Sequence, residues 1–208
     1  MKKLSLLSVF ALIAIIACSF KGEEYKTLEI GKKAPMTDYQ MEGTDGEKYS
    51  LENLTEENGL LVIFSCNTCP FVIKWEDRYP GIAEMAQENE IGFSLINSNE
   101  AKREGDDSME EMKNHAEEKG YADVPYLVDE NSKLANAFGG KTTPHVFLFN
   151  ADMQLVYEGA IDDNLDDAAA VKTPYLGNAI KNMVAGEKID PENTKAIGCS
   201  IKRTAAKG

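Results

Sequence analysis

Cys66 and Cys69 are the residues of this chain whose type and spacing most directly suggest chemistry. A thiolate is a nucleophile and a metal ligand, and a second thiol nearby can close a disulfide with it. Pro70 follows the pair, and proline is favoured at the first helical position, so Cys69 is predicted to cap a helix. The free amides and the dipole there stabilise an anion. The pattern predicts an activated thiol beside a resolving thiol; a metal clasp or two small buried hydrophobic residues are the alternatives.

The elements around this pair are expected to place it at the end of a buried strand. Residues 60–64, LLVIF, form a continuous apolar run typical of such a strand. Apolar residues then recur at helical spacing from Pro70, and Pro80 predicts a kink or a break in that helix. The whole pattern, after a first short hairpin, gives the order β-α-β-α-β-α-β-β-α. It predicts an α/β fold with a central mixed sheet flanked by helices, a β-hairpin and a C-terminal helix.

A third cysteine, Cys199, lies in a tail without clear periodicity. Gly198 precedes it and permits a sharp bend, so the tail is able to fold back over the site. Cys199 is therefore either a second resolving thiol or a small packed residue.

The beginning of the chain resembles a bacterial lipoprotein signal. Two lysines precede an apolar run that is shorter than a typical membrane-spanning helix, and the run ends in Ala17-Cys18. This pattern predicts a signal peptide over residues 1–17, lipidation of Cys18, a tether over residues 18–30 and one domain with a C-terminal tail over residues 31–208. The protein is then exported and lipid-anchored to a membrane, facing the periplasm or the cell surface.

The composition excludes several functional classes. The net charge is −13 and no basic stripe is present, so nucleic acid is not an expected partner. The sequence contains no Gly-rich phosphate loop, no serine nucleophile elbow and no second cysteine pair that would complete a zinc site. We expect no cofactor.

An ordered series of motifs resembles a peroxiredoxin-like branch of the thioredoxin-fold superfamily, the alkyl-hydroperoxide-reductase/thiol-specific-antioxidant group of redoxins. The motifs are LLVIFSCNTCPFV, INSNEA, VPYLVDE, KTTPHVFLF, LVYEGAIDD and GCSIK. The resemblance extends over roughly residues 30–202. It implies a thioredoxin fold, a cis-proline loop at Thr143-Pro144 packed against the Cys66/Cys69 junction, and thiol–disulfide or antioxidant chemistry.

Two features depart from the usual patterns of that superfamily. Thioredoxins carry Cys-Gly-Pro-Cys, whereas here the proline follows the pair and Cys69 starts the helix. Cys69 thus corresponds to the first thioredoxin cysteine, and Cys66 is a relocated partner. Typical peroxiredoxins carry Pro-x-x-x-Thr-x-x-Cys, but counting back from Cys69 gives Cys66 and Val62. Neither cysteine has the peroxidase setting.

These observations predict a membrane-anchored thiol–disulfide oxidoreductase that acts on protein or small-molecule thiols and disulfides. The Cys69 thiolate attacks a substrate disulfide and Cys66 resolves the mixed disulfide, or the roles are reversed. Thr143 and Pro144 shape the edge on which an extended substrate docks. A thiol peroxidase or sulfenic-acid reductase is the alternative enzyme. A copper(I) chaperone that binds the metal through Cys66, Cys69 and His145 is the alternative from another class.

Overall fold

The structure is a computed structural model that describes residues 25–204. The predicted signal peptide, the lipidation site Cys18 and most of the predicted tether lie outside these residues. Among the described residues, no helix combines the length and the apolar character needed to cross a bilayer.

Short strands and helices alternate along the described chain. The strands are β1 (Met41–Gly43), β2 (Lys48–Tyr49), β3 (Gly59–Ser65), β4 (Ile91–Asn97), β5 (Tyr126–Val128), β6 (Thr142–Thr143), β7 (His145–Phe149), β8 (Leu155–Gly159) and β9 (Cys199–Ser200). The helices are α1 (Leu51–Leu54), α2 (Pro70–Trp75), α3 (Tyr79–Glu88), α4 (Met109–Lys119), α5 (Lys133–Phe138) and α6 (Tyr175–Val184). From β3 to α6 the major elements follow the predicted order.

Seven of these strands form one mixed sheet in the order β2-β1-β5-β4-β3-β7-β8. β3 pairs in parallel with β4 and antiparallel with β7, so it lies inside the sheet with neighbours on both sides. All seven residues of β3 are buried, which explains why its sequence is continuously apolar rather than alternating. The strand that leads to the cysteine pair is therefore held in the interior of the sheet.

Helices cover both faces of the sheet. On one face α2, α3, α4 and α6 pack together with Leu61 and Ile63 of β3, and both Cys66 and Cys69 belong to this apolar cluster. On the other face α1 and α5 pack in a cluster that contains Phe64. The Phe64 ring makes edge-to-face contacts with the rings of Phe138 and Phe147, and both centroid–centroid distances are 5.6 Å. The cysteine pair is thus at the boundary between the sheet and its helical layer.

The helix after the cysteine pair is interrupted, as the sequence predicts. α2 ends at Trp75, a single 3₁₀ turn follows over Glu76–Arg78, and α3 begins at Tyr79 with Pro80 in its first turn. A proline is tolerated there because the first amides of a helix have no intrahelical acceptor. The prediction of a break at Pro80 is confirmed.

Three features differ from the sequence-based expectations. The expected end of the tether at residue 30 is too late, because the Leu28 amide already donates to the Phe138 carbonyl at 2.9 Å and Ile30 packs against the core. The one-turn helix α1 was not predicted. The tail, in which no element was predicted, contributes β9, which pairs with β6.

Candidate active site

Cys66 and Cys69 occupy the junction between the end of β3 and the start of α2. Cys69 has an extended backbone conformation and caps α2, with Pro70 at the start of the helix. The Ile73 amide donates to the Cys69 carbonyl at 3.0 Å, so the helical hydrogen bonding begins at this cysteine. The two cysteines are only 2% and 4% exposed. The junction therefore holds two closely spaced thiols at the N-terminus of a short helix, and both thiols are almost completely shielded from water.

Thr143 lies against both sulfurs. Its hydroxyl is 3.2 Å from the Cys66 sulfur, and its carbonyl oxygen is 3.2 Å from the Cys69 sulfur. The Thr143-Pro144 peptide bond is cis, which is the geometry that the family resemblance implies. The structure thus brings together two motifs that are more than seventy residues apart in the chain.

The C-terminal tail adds the third thiol to the same place. β9 pairs antiparallel with β6, and Cys199 is the register partner of Thr143. A Cβ atom on Gly198 would lie 2.2 Å from the Thr143 carbonyl oxygen, so this close approach requires glycine. The Cys199 thiol comes close enough to the Cys69 sulfur to contribute to the lowering of the Cys69 pKa. All three thiols of the described residues therefore gather around Thr143, and all three are free.

The neighbouring groups favour ionisation of Cys69 over the other two thiols. The Cys66 thiol hydrogen-bonds with the Cys69 sulfur and is the main reason why the pKa of Cys69 is held well below that of an ordinary thiol. Burial opposes this shift, whereas the Cys199 thiol and the backbone amides of Val72 and Cys199 add to it. The Cys66 pKa is raised, first by its hydrogen bond with Cys69 and then by burial. Burial, followed by the contact with Cys69, also raises the pKa of Cys199.

The Thr143 carbonyl works in the opposite direction. A thiol at Cys69 is able to donate to this oxygen, but a thiolate is repelled by it, so the 3.2 Å contact suits the protonated form. The thiol and amide donors around the sulfur outnumber this one acceptor. The arrangement therefore favours a thiolate at Cys69, held between two neutral thiols.

An open groove of about 510 Å³ borders the junction at Asn67 and Thr68. Four of the titratable side chains that line it are acidic, namely Glu104, Asp106, Glu111 and Glu118. His115 also lines the groove. A cleft lined by one sign of charge raises the local concentration of counter-ions. This groove, which lies beside the junction, therefore favours cationic solutes over anionic ones.

Residues 30–158 match the sequence model of the AhpC/TSA family, a stretch that includes the cysteine junction and the Thr143-Pro144 loop. The chain belongs to the AhpC/TSA family. It is a redoxin, and the family resemblance inferred from the motifs is confirmed. The matched stretch ends at β8, so the tail with Cys199 lies beyond it.

Solved structures place this AhpC/TSA chain among thioredoxin-like proteins. An uncharacterized conserved protein from Geobacillus kaustophilus is 31% identical, with a TM-score of 0.80 over 87% of this chain and 95% of that one. A hypothetical protein from Sinorhizobium meliloti 1021 is 27% identical, with a TM-score of 0.78 over 87% and 98%. Peroxidoxin BcpB from Mycobacterium tuberculosis is 16% identical and shares the fold, with a TM-score of 0.58 over 76% and 97%. No curated protein matches the chain significantly.

The AhpC/TSA chain does not bring His145 to the cysteines. The Nε2 atom of His145 is 2.8 Å from the Glu158 carboxylate, and its Nδ1 atom accepts from the Lys141 amide at 3.4 Å. Both ring nitrogens therefore have partners outside the thiol cluster. Within residues 25–204, no three His, Cys, Asp or Glu side chains are arranged to hold a metal ion. The alternative of a copper site formed by Cys66, Cys69 and His145 is wrong.

The edge expected to dock a substrate, at Thr143 and Pro144, is covered in the structure. Thr143 is 1% exposed, and β9 pairs with the β6 strand that contains it. An extended substrate therefore has to displace β9 before it can pair there.

Sequence reasoning missed the buried polar network that holds the junction in place. Asp107 is completely buried, and its carboxylate accepts hydrogen bonds from the Asn67 amide and from the side chains of Asn97 and Asn99, at 2.8–3.0 Å. Asp107-Ser108 predicts a helix cap with either residue as the cap. In the structure Ser108 caps α4, and Asp107 is free to point inward. A carboxylate thus fixes the residue that follows Cys66.

Proposed function

We propose that this AhpC/TSA protein is a thiol–disulfide oxidoreductase that works through Cys66 and Cys69. The observation that supports this function best is the Cys69 sulfur itself. It is placed at the cap of α2, and the neighbouring Cys66 thiol lowers its pKa. Thiolates are the reactive form of cysteine, and a thiol within bonding range completes the exchange.

In the proposed reaction the Cys69 thiolate attacks one sulfur of a substrate disulfide. A bond forms between Cys69 and that sulfur, the substrate S–S bond breaks, and the first substrate thiolate leaves. Cys66 then gives up its proton to the departing thiolate and attacks the Cys69 sulfur. The Cys66–Cys69 disulfide forms and the second substrate thiolate leaves, so the substrate gains two electrons and the protein loses two. The same steps in reverse oxidise a dithiol substrate.

The surroundings explain why Cys69 rather than Cys66 attacks. Cys66 is 2% exposed and its pKa is raised by the hydrogen bond with Cys69 and by burial, so it is a poor nucleophile until Cys69 has reacted. Once Cys69 is in a mixed disulfide, the negative charge beside Cys66 is gone and the Cys66 thiol ionises more easily. The order of the two attacks therefore follows from the position of one charge.

The test is reduction of a small aromatic disulfide, dithiodipyridine, whose released thione is followed by absorbance. The reduced wild type is expected to release both thione equivalents of each dithiodipyridine, because Cys66 resolves the mixed disulfide on Cys69, whereas Cys66→Ser/Cys69→Ser is expected to release at most the single equivalent that comes from a mixed disulfide at Cys199. Circular dichroism checks that the double variant is folded. Full activity in that folded variant would overturn the proposal. Consumption of hydrogen peroxide by the reduced protein at a rate equal to that of disulfide reduction would instead favour the thiol peroxidase.

The second element of this proposal is the membrane anchor. A lipidated Cys18 would hold the domain at a membrane in the periplasm or at the cell surface, where disulfide exchange has substrates. The support is the lipobox-like sequence that ends at Cys18. Cys18→Ala is expected to move the protein out of the membrane fraction or to leave it unprocessed. An unchanged membrane fraction of protein that is processed as in the wild type would exclude the anchor.

A further inference from the structure

The three thiols of the site differ in their access to solvent. Cys66 and Cys69 are 2% and 4% exposed, whereas Cys199 is partly exposed on β9. The Cys66 and Cys69 sulfurs each lie 3.2 Å from an atom of Thr143, and Cys199 is the register partner of that residue. Both Cys66 and Cys199 act on the Cys69 pKa, so Cys69 is the central sulfur. Cys66 is then the inner sulfur and Cys199 the outer one. An external thiol meets Cys199 before it meets either member of the Cys66/Cys69 pair.

The position of the outer thiol is specified by several contacts. Gly198 permits the backbone to approach the Thr143 carbonyl, as described above, and the register of β6 and β9 sets Cys199 opposite Thr143. Beyond Cys199, the Ile201 amide donates to the Lys141 carbonyl at 3.1 Å. On the other side, the Thr194 hydroxyl accepts from the Ala160 amide at 2.9 Å.

Further along the tail, the Lys202 carbonyl accepts from the Ala101 amide at 2.8 Å, and the Lys202 amide donates to the Asn99 side chain at 2.8 Å. Arg203 donates to the Asn136 side chain at 2.7 Å. These contacts fix the position of the tail on both sides of Cys199, which is more than a residue that only packs against its neighbours requires.

We propose that Cys199 is a third redox thiol, which accepts the disulfide from the Cys66/Cys69 pair and presents it to external thiols. This inference rests on the proposed function, because it adds a step to the same exchange reaction. Its substrate class is a small or flexible thiol that is able to attack a partly exposed sulfur.

The added step is an internal exchange without net oxidation. After the Cys66–Cys69 disulfide has formed, Cys199 loses its proton to solvent and attacks the Cys69 sulfur. The Cys69–Cys199 bond forms as the Cys66–Cys69 bond breaks, and the electron pair leaves on Cys66, which takes up a proton. The disulfide has then moved from the inner side of Cys69 to its outer side.

Reduction of the shifted disulfide is favoured by the leaving group. An external thiolate attacks the Cys199 sulfur, forms a mixed disulfide with it, and expels Cys69 as the thiolate. A thiol of lower pKa leaves faster, and Cys69 is the cluster member whose pKa is lowered. A second external thiol then attacks the external sulfur of the mixed disulfide and releases Cys199. The external pair becomes a disulfide, and the protein returns to three thiols.

The experiment maps disulfides and measures reduction rates in the same set of proteins. Wild type and Cys66→Ser are treated with a limiting amount of dithiodipyridine, and the linked peptides are identified by mass spectrometry. The Cys69–Cys199 bond is expected in both proteins, together with the Cys66–Cys69 bond in wild type. The mixed disulfide on Cys69 is expected to persist only in Cys66→Ser/Cys199→Ser. A persistent mixed disulfide in Cys66→Ser alone would overturn the proposal.

The rate measurement uses oxidised wild type, Cys199→Ser and the neighbouring control Ser200→Ala, each reduced by dithiothreitol. Cys199→Ser is expected to slow reduction by about tenfold or more, and Ser200→Ala is expected to behave as wild type. Equal rates for Cys199→Ser and wild type would refute the role of Cys199 but leave the Cys66/Cys69 reaction intact. Full disulfide reduction by Cys66→Ser/Cys69→Ser would instead refute the underlying function, so the two failures are distinguishable.

Discussion

Replacing Gly198 with alanine is expected to separate β9 from β6 and to weaken the stabilisation of the Cys69 thiolate. The new Cβ would lie 2.2 Å from the Thr143 carbonyl oxygen, whereas real Cβ atoms are essentially never found closer than 3.0 Å to a neighbour. The strands must therefore move apart by roughly 0.8 Å or more. Because the atoms it meets are backbone atoms of Thr143 and Pro144, no side-chain rotation relieves the contact.

The displacement takes the Cys199 thiol away from the Cys69 sulfur. A hydrogen bond to a charged acceptor contributes about 1.5–3 kcal/mol, and about 1.4 kcal/mol corresponds to a tenfold change in an ionisation constant. Loss of this one donor is therefore expected to raise the pH midpoint of Cys69 alkylation by about one pH unit. The other donors, the Cys66 thiol and the Val72 amide, stay in place, so the midpoint still lies below that of an ordinary thiol.

The assay is the pH dependence of iodoacetamide labelling at Cys69, followed by mass spectrometry. The midpoint is the informative quantity, because opening β9 also raises the labelling rate at every pH. Gly105→Ala is the matched control, since a Cβ atom there would lie 3.9 Å from the Lys102 carbonyl oxygen, which is an ordinary van der Waals distance. A Gly198→Ala protein that is folded and has the wild-type midpoint would show that Cys199 does not stabilise the thiolate.

Three further results are expected. In wild type, labelling of Cys69 should stay nearly constant as the pH falls from mildly alkaline to mildly acidic and decline only near the lowered pKa; a decline around pH 8–9, where free thiols titrate, would contradict the activated thiolate. Asp107→Ala leaves three buried donors without an acceptor and should lower the free energy of unfolding by about 3 kcal/mol or more in denaturant melts, whereas exposed Asp106→Ala should change it by less than about 0.5 kcal/mol. A dicationic small disulfide should react faster than a dianionic one of equal size, with a difference that shrinks as salt is added; equal rates at low salt would show that the acidic groove beside Thr68 is irrelevant to access.

The parts of the site that depend on neighbouring residues were predictable from the sequence. The apolar run of β3 predicts a buried strand, and the Cys69-Pro70 step predicts that a helix begins directly after it with Cys69 as the N-cap. The structure contains the strand and the helix at these positions. Pro80 specifies the second start of the helix for the same local reason. These features require only the chain within a few residues of each position.

The face of the sheet that His145 occupies was also within reach of local reasoning, although the alternative of a copper site left it open. Side chains alternate between the two faces of a strand, so His145 and Phe147 share a face that Val146 does not. Val146 belongs to the same apolar cluster as the cysteine pair, whereas Phe147, whose ring centroid is 4.5 Å from that of His145, belongs to the cluster on the opposite face. Alternation along β7 therefore excludes His145 from the thiol cluster once the face of Val146 is known.

The pairing of β6 with β9 and the inward orientation of Asp107 could not be predicted in the same way. Cys199 meets Thr143 only because the tail returns across the domain, and a contact of this range leaves no periodic pattern in a two-residue strand. Asp107 and Ser108 are equally suitable as caps, and burial decides between them in the folded chain.

The tail segment over residues 195–200 is attached at both of its ends, at Thr194 and at Ile201. A segment that is attached at both ends is able to move outward at its middle, but it cannot move away from the domain as a terminal segment with one free end does. If β9 separated from β6, the opening beside Cys69 would therefore be restricted by the two attached ends of the segment. If the proposed exchange takes place there, slender disulfides and flexible peptide ends are the expected substrates, and a disulfide in a broad, rigid protein surface is expected to be excluded by its size.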